Sequence, residues 1–194
     1  MNAQFRPGRG ELAHLEQVSV DRSFHAILRS LEAIGAAGAA LAVIRERVPD
    51  YEPEPAIFDT TVSLLAALND GAPPEEALLS LQIRALAILG FAPTLDRCVL
   101  CGKTLAASRS ASFDAARGGI VCRACGGGRL VLSAASLRRW VVIQSTSEFA
   151  EEAWADRERE EIRDALAQLD SSHATVTVRE RTAGASGSWE GRLS

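Results

Sequence analysis

The spacing of hydrophobic positions predicts a mainly helical chain. From Asp21 onwards, apolar residues recur every three or four positions, which places them on one face of a helix that Asp21 or Ser23 would cap. Beyond Ile34 the pattern becomes apolar on every side, which indicates that this part of the helix is buried. Three prolines between residues 49 and 55 end this first predicted helix.

The same periodicity, read together with turn residues, predicts the elements that follow. Pro74 suits the first turn of a helix because proline lacks an N–H that would otherwise stay unpaired there. Ser133 can cap another helix through its hydroxyl oxygen. The predicted elements are a helix at 57–68, a helix starting after Pro74 that ends before Pro93, a helix from Ser133 to about 144, a charged helix at 148–169 and a short strand at 175–179.

The first twenty residues follow a different pattern. A turn-rich stretch from Phe5 to Gly10 is followed by alternation of side-chain types between Leu12 and Gln17, which predicts one short strand. A single strand leaves its backbone groups unpaired, so this strand needs a partner from elsewhere.

Charge and composition refine this picture. The chain has 194 residues, of which 47% are hydrophobic and only 5% aromatic, and this composition favours helical packing in one sizeable core. The net charge is −4, yet residues 98–129 form a basic segment that contains every cysteine. Its basic residues, which are the candidate nucleic-acid contacts, are Lys103, Arg109, Arg117, Arg123 and Arg129.

Nothing in the sequence indicates export or a membrane. Residues Met1 to Glu11 lack the apolar core of a signal peptide, and the longest apolar run, Ala33 to Ile44, is too short to cross a bilayer. The sequence therefore predicts a cytoplasmic protein, in which cysteines remain reduced.

The four cysteines form the strongest motif in the chain. Cys98 and Cys101, followed by Cys122 and Cys125, give the spacing C-x₂-C-x₂₀-C-x₂-C. Two tight turns can bring four thiolates to one tetrahedral Zn²⁺, which leaves no open coordination position, so the predicted zinc is structural. Two disulfides or four unrelated buried thiols are the alternatives, and a reducing compartment favours the metal.

The segment between the cysteine pairs predicts a small hairpin. Ser112–Asp114 and Ile120–Val121 read as two strands around a turn at Gly118 and Gly119. The hairpin has few apolar residues for a core of its own, so the metal is expected to supply its stability.

Two other interpretations of the metal motif stay open. A zinc-ribbon module that binds a protein partner, without touching DNA, would use the same four ligands. A zinc deaminase would use His14 and Glu16 with one downstream C-x-x-C pair, but Arg97 stands where that motif has proline. The deaminase interpretation also leaves a second cysteine pair without a role.

One stretch of the chain resembles a known family. Residues 86–102 read LAILGFAPTLDRCVLCG, and Phe113, Gly118-Gly119, Cys122 and Cys125 follow at matching distances. This arrangement resembles the centre of the RecO family. The resemblance implies a mainly α fold, in which a helical domain with an inserted four-cysteine zinc-ribbon knuckle follows an OB-fold. The implied domains are a residual OB-fold strand at 1–20, a helical domain at 21–97 and 130–170, the knuckle at 98–129, and a strand with a flexible tail at 171–194.

The resemblance also implies a function. RecO proteins are mediators of DNA repair and homologous recombination in the RecF pathway and are not enzymes. They bind single- and double-stranded DNA and act with RecR and the single-strand-binding protein in strand annealing and RecA loading, in the cytoplasm at the nucleoid. Twenty residues cannot close a five-stranded barrel, which weakens the expectation of DNA binding.

A partner site is implied as well. In some relatives an arginine pair on the helix before the zinc site receives the acidic tail of the single-strand-binding protein. Leu79 and Ser80 occupy those positions here, and the nearest arginine is Arg84. Arg84 is therefore the candidate partner-binding residue, with an ordinary solvated helix charge as the alternative.

Overall fold

The computed structural model describes residues 2–8, 13–48, 53–106, 109–149 and 152–184, with nothing said of side chains beyond residue 172. Its five helices are α1 (Leu31–Arg47), α2 (Pro55–Asn69), α3 (Pro74–Ile88), α4 (Ala134–Ser145) and α5 (Asp156–Gly184). Its five strands are β1 (Asn2–Pro7), β2 (Ala13–Ser19), β3 (Ala111–Asp114), β4 (Gly119–Ile120) and β5 (Leu130–Leu132). The mainly helical fold class is confirmed.

The N-terminal segment is a hairpin rather than one strand. Strands β1 and β2 pair antiparallel, with Phe5 opposite Leu15. The sequence concealed β1 because its residues lack a clear alternation and Pro7 suggested a turn. Each strand satisfies the other's backbone groups, so the predicted unpaired strand is a wrong expectation.

Helix α1 begins later than its periodicity suggested. Ser30 has an extended backbone, and its hydroxyl oxygen accepts a hydrogen bond from the Ala33 N–H at 3.2 Å. This cap starts the helix at Leu31, while His25–Arg29 forms a short 3₁₀ turn. The burial predicted on every side beyond Ile34 is also wrong, because Ala36 and Ala40 are buried there whereas Leu41 is 53% exposed.

Helices α2 and α3 confirm their predicted positions, each with proline in its first turn. Helix α3 is buried on two sides and separates two hydrophobic clusters. Leu81 packs with α1 and α2, whereas Ile83 faces α4, α5 and the small sheet. The second buried face was hidden in the sequence because it includes Glu76, Ser80 and Arg84, and periodicity assigns such polar residues to solvent.

The second cluster joins the helices to a three-stranded antiparallel sheet in the order β4-β3-β5. The predicted strands around Gly118 and Gly119 are confirmed as β3 and β4, while β5 was not predicted. Ser133 caps α4 as expected, with its hydroxyl oxygen accepting from the Ser136 N–H at 3.2 Å. The largest fully buried side chains of this cluster are Trp140, Phe113, Ile83, Leu86, Ile120, Leu132, Ile162 and Leu169.

Helix α5 differs from its prediction at both ends. It starts at Asp156 rather than near residue 148, because buried Trp154 donates its backbone N–H to the Glu76 carboxylate at 3.3 Å ahead of the helix. The strand predicted at 175–179 is wrong, since α5 continues to Gly184. An established helix gains one hydrogen bond per added residue, which outweighs the β-branched residues there. Residues 185–194, the predicted flexible tail, lie outside the described part.

Among the described helices, none combines the length and the hydropathy that a membrane crossing requires.

Candidate metal centre

The four cysteines meet at one point. Their sulfur atoms all lie within 4.8 Å of one another, and Cys101 Sγ is 3.8 Å from Cys122 Sγ. All four are free thiols, so the disulfide interpretation is not realised in this structure. Cys98 is buried and Cys101 is exposed, so the cluster opens towards solvent on one side.

Backbone hydrogen bonds build the two turns that carry the sulfurs. In the first turn, the Gly102 N–H donates to the Cys98 carbonyl at 2.9 Å, and Gly102 has a φ of 71°. In the second, the Cys125 N–H donates to the Cys122 carbonyl at 3.0 Å, and Gly126 follows with a φ of 98°. Glycine adopts such positive φ values without strain, so the glycine after each cysteine pair has a conformational reason.

Local hydrogen bonds give the Cys98 and Cys125 thiols different pKa values. The Cys122 N–H donates to Cys98 Sγ at 3.3 Å, and this bond lowers the pKa of Cys98 to about 6. The neighbouring thiols, Cys122 first, raise the pKa of Cys125 to about 12. Cys98 therefore forms a thiolate more readily than Cys125, and a bound divalent cation would favour loss of the Cys125 proton.

The donor set fits a metal ion. Four sulfur atoms from two C-x₂-C turns make a compact group, and no carboxylate or imidazole belongs to it among the described residues. Thiolates bind soft or borderline cations and disfavour Mg²⁺ and Ca²⁺, which prefer oxygen. The four cysteines could thus hold one metal ion, which would tie the two turns together.

The expectation that only a metal supports this segment is wrong. Phe113 of β3 is 0% exposed, and its ring lies 6.4 Å from the ring of Trp140 on α4. Ile120 and Leu132 are buried in the same cluster. The knuckle therefore contributes its inner side to the main core, which the sequence could not show because the partners lie on distant helices.

Three of the five candidate nucleic-acid contacts converge. Lys103, Arg109 and Arg123 line one groove of about 730 Å³ that also includes Cys98 and Cys122. Lys103 follows the first cysteine turn, and its carbonyl accepts from the Cys98 N–H at 2.9 Å. The groove therefore runs along the proposed metal turns.

The other two basic residues lie elsewhere. Arg117 forms an ion pair with Asp114 at 3.5 Å. Arg129 lines a different groove together with Asp114 and Asp164. Arg117 is paired with a carboxylate and Arg129 faces a different groove, so neither extends the basic groove.

Arg84 lies inside the protein and not on its surface. It is 5% exposed, its Nε donates to the Ile143 carbonyl at 3.3 Å, and its Nη2 donates to the Glu148 carbonyl. Its guanidinium stacks 4.1 Å from the centre of the Phe149 ring, and burial lowers the pKa of Arg84. Arg84 is therefore neither a solvated helix charge nor an exposed docking residue, and it anchors the segment that follows α4.

A cavity beside this segment was missed by sequence reasoning. It has a volume of about 830 Å³. Its charged lining residues are Arg138, Arg139, Glu148, Glu152 and Glu158, and its aromatic ones are Phe149 and Trp154. Within the described residues, the buried donors Arg84 Nη1, Arg139 Nε and Trp154 Nε1 have no hydrogen-bond acceptor. Arg138 and Arg139 are adjacent on the helix predicted from Ser133, and this pair was a sequence signal for the cavity. The cavity also depends on the coil before α5, which the sequence did not predict.

The deaminase interpretation finds no support at the metal centre. His14 lies on the exposed hairpin strand β2 and Glu16 is ion-paired with Arg6 at 3.0 Å. In the part of the chain that the structure describes, neither residue belongs to the cysteine group.

Comparison with known proteins decides the family. The family model described as "Recombination protein O C terminal" matches residues 28–181, which is most of the chain. The chain belongs to the RecO C-terminal family. The matched residues include most or all of each of the five helices, the basic groove and all four cysteines.

Individual relatives agree with the family model. The chain is similar to "DNA repair protein RecO" of Anaeromyxobacter sp. (strain K), with 36% identity over 129 residues, or 66% of this chain and 50% of that protein. RecO of Anaeromyxobacter sp. (strain Fw109-5) is 34% identical over 148 residues, or 76% of this chain and 56% of that protein. RecO of Myxococcus xanthus is 35% identical over 118 residues, or 61% and 48%. The chain thus spans about half the length of the curated RecO relatives that it matches.

Proposed function

We propose that this chain acts in DNA repair as a RecO-type mediator, by binding nucleic acid and partner proteins rather than by catalysis. The name of its relatives, "DNA repair protein RecO", supports the repair role. In this proposal residues 98–129 form a zinc knuckle within a helical domain, and the protein works in the cytoplasm at the nucleoid.

The proposed zinc ion is structural and binds Cys98, Cys101, Cys122 and Cys125, one ion per chain. Four thiolates complete a tetrahedral shell at Zn–S distances of about 2.3 Å, which leaves no position for a substrate. The ion would supply a crosslink between the two turns, and the basic residues around these turns would contact the nucleic acid.

The observation that carries the DNA-binding proposal is the convergence of Lys103, Arg109 and Arg123 in one groove. A groove lined by several cationic side chains attracts the phosphates of a nucleic acid. Each phosphate that is neutralised releases counterions from the nucleic acid. With three contacts to a single strand, the logarithm of affinity should fall with the logarithm of salt with a slope of about −2.

The test is fluorescence anisotropy of a labelled single-stranded oligonucleotide at several salt concentrations. We expect replacement of Lys103, Arg109 and Arg123 by alanine to flatten the salt response and to weaken binding at low salt at least tenfold. Arg117→Ala is the matched control, because Arg117 is a basic residue of the same segment paired with Asp114. An unchanged salt slope in the triple variant would remove DNA binding from this groove.

A second function is favoured by the cavity that holds the unpartnered donors. Arg139 and Trp154 line this cavity, their Nε and Nε1 donors have no acceptor, and a peptide carboxylate could supply one. We propose the acidic tail of the single-strand-binding protein as this partner, as the family resemblance implies. RecR, strand annealing and RecA loading belong to the same proposal.

A labelled tail peptide, with an amidated and scrambled version as control, tests this second function. Arg139→Met keeps the apolar stem beside Trp154 while removing the charge, and should weaken peptide binding at least fivefold. Peptide binding together with a flat DNA titration would instead identify the chain as a protein-interaction module without DNA binding. No peptide binding at all would refute the partner proposal.

A further inference from the structure

The cysteine cluster presents one side chain to solvent and keeps another inside the protein. Cys101 is exposed, Cys122 and Cys125 are half-buried, and Cys98 is 2% exposed. The Sγ atom of Cys98 also accepts a hydrogen bond from the Cys122 N–H at 3.3 Å, which holds the Cys98 side chain in place. A small oxidant that reaches the cluster from solvent therefore meets Cys101 first.

A sulfur atom of the second turn lies beside Cys101. The Sγ atoms of Cys101 and Cys122 are 3.8 Å apart. To form a disulfide bond they must approach by about a further 2 Å, and rotation about the Cα–Cβ bond of an exposed side chain can supply this movement. Cys101 and Cys122 are thus placed to join the two turns covalently.

Backbone hydrogen bonds hold the two turns together independently of the sulfur atoms. The Val99 N–H, in the first turn, donates to the Ile120 carbonyl at 2.9 Å. The Val121 N–H, next to Cys122, donates to the Ser112 carbonyl at 3.0 Å, and Ile120 and Val121 are only 2% and 1% exposed. The two thiols therefore stay close to each other without a metal crosslink, and this proximity favours a disulfide within one chain over one between chains.

We propose that Cys101 and Cys122 form a peroxide-sensitive pair, which a hydroperoxide converts into a disulfide that takes the place of the metal crosslink. This inference rests on the proposed zinc centre and does not depend on the proposed DNA or peptide binding. Thiol reductants would cleave the disulfide by exchange and restore the four ligands, so the modification is reversible.

The oxidation has two steps. The Cys101 thiolate attacks one oxygen of hydrogen peroxide, the O–O bond breaks, and a sulfenic acid forms as hydroxide leaves. The Cys122 thiolate then attacks the Cys101 sulfur, the S–O bond breaks, and a second hydroxide leaves. The two sulfurs together lose two electrons, the peroxide gains them, and both hydroxides take up protons to become water. Cys98 and Cys125 are then the only thiols left in the donor set, and two sulfurs hold a metal ion more weakly than four.

Tryptic mapping of the full chain, loaded with zinc and treated with equimolar hydrogen peroxide, tests the pairing. Remaining free thiols are blocked with iodoacetamide before digestion. Cleavage after lysine and arginine separates the cysteines onto three peptides, which are 98–103 with Cys98 and Cys101, 118–123 with Cys122, and 124–129 with Cys125.

We expect peptide 98–103 to be joined to peptide 118–123, with the blocking group on Cys98. The zinc that is lost, measured with a colorimetric chelator, should equal the disulfide that is formed, and a thiol reductant should restore zinc binding.

Two variants with the same number of cysteines form a matched pair. Cys101→Ser removes the exposed sulfur and should lose the link between 98–103 and 118–123. Cys125→Ser keeps both reacting sulfurs and should still form that link. Each variant lacks one metal ligand, so the disulfide is the readout, and circular dichroism checks that both variants remain folded.

Any other pairing in the parent chain would overturn the proposal, as would a link that persists in Cys101→Ser or is lost in a folded Cys125→Ser. A chain that keeps its zinc and forms no disulfide would also overturn it, while leaving the proposed zinc centre intact. A chain that binds no zinc before peroxide is added would contradict the zinc centre itself, and this inference with it.

Discussion

Acid should destabilise the fold through one buried carboxylate that joins α5 to α4. Glu161 is nearly buried, and its Oε2 accepts from the Ser133 N–H at 2.6 Å and from the Ser136 hydroxyl at 2.7 Å. Arg157 donates to Oε1 at 2.7 Å. Burial by itself would raise the pKa of Glu161, but these bonds to its charged form outweigh burial and lower the pKa from 4.5 to about 2.

The size of the effect follows from linkage. The folded protein holds the Glu161 proton more weakly than the unfolded chain does, so the carboxylate stabilises the fold above pH 4.5 and that stability disappears as the pH falls towards 2. A difference of about 2.5 units corresponds to about 3 kcal/mol at neutral pH. Glu161→Gln keeps the shape and loses the charge, so its free energy of unfolding should be lower by up to about 3 kcal/mol at pH 7.

Urea unfolding followed by tryptophan fluorescence measures this difference, because Trp140 and Trp154 are both buried. The difference in the free energy of unfolding between the parent protein and Glu161→Gln should shrink between about pH 5.5 and pH 2, and it should vanish at the acid end. Glu160→Gln, an exposed neighbour on the same helix, should change the free energy by no more than about 0.5 kcal/mol. A difference that is independent of pH would refute the assignment to the Glu161 charge.

Three further outcomes each follow from one structural feature. Chelation of the proposed zinc ion should release one ion per chain and leave most of the helical circular dichroism, because Phe113 and Ile120 stay in the core; complete unfolding would contradict this. Gly128→Ala should destabilise the protein by about 2 kcal/mol or more in urea, since a Cβ there would lie 2.2 Å from the Phe113 carbonyl oxygen. Ser30→Ala should cost about 1 kcal/mol in the same assay, by removing the α1 cap.

Local signals in the sequence predicted the elements whose ends depend on their own residues. Proline in the first turn located α3, and the Ser133 hydroxyl located the start of α4. The cysteine spacing likewise predicted the cluster, because a C-x₂-C turn is closed by its own backbone.

Long-range contacts account for the errors. The start of α5 depends on Glu76, which is 78 residues away from Trp154 and accepts its N–H. The burial of Arg84 depends on carbonyl groups of Ile143 and Glu148, which lie 59 and 64 residues further along. Such partners leave no periodic trace in the sequence, so the cavity beside Arg84 could not be predicted.

The position of Phe113 has a consequence for how the molecule holds together. Because its ring packs with Trp140 and shares a cluster with Ile162, the cysteine segment and the helices on either side of it belong to one cooperative unit. The backbone amides of β3 should then exchange with solvent at the rate of global opening, together with those of α3. Cutting the segment out would expose the buried sides of three helices, so it cannot be treated as a detachable insertion.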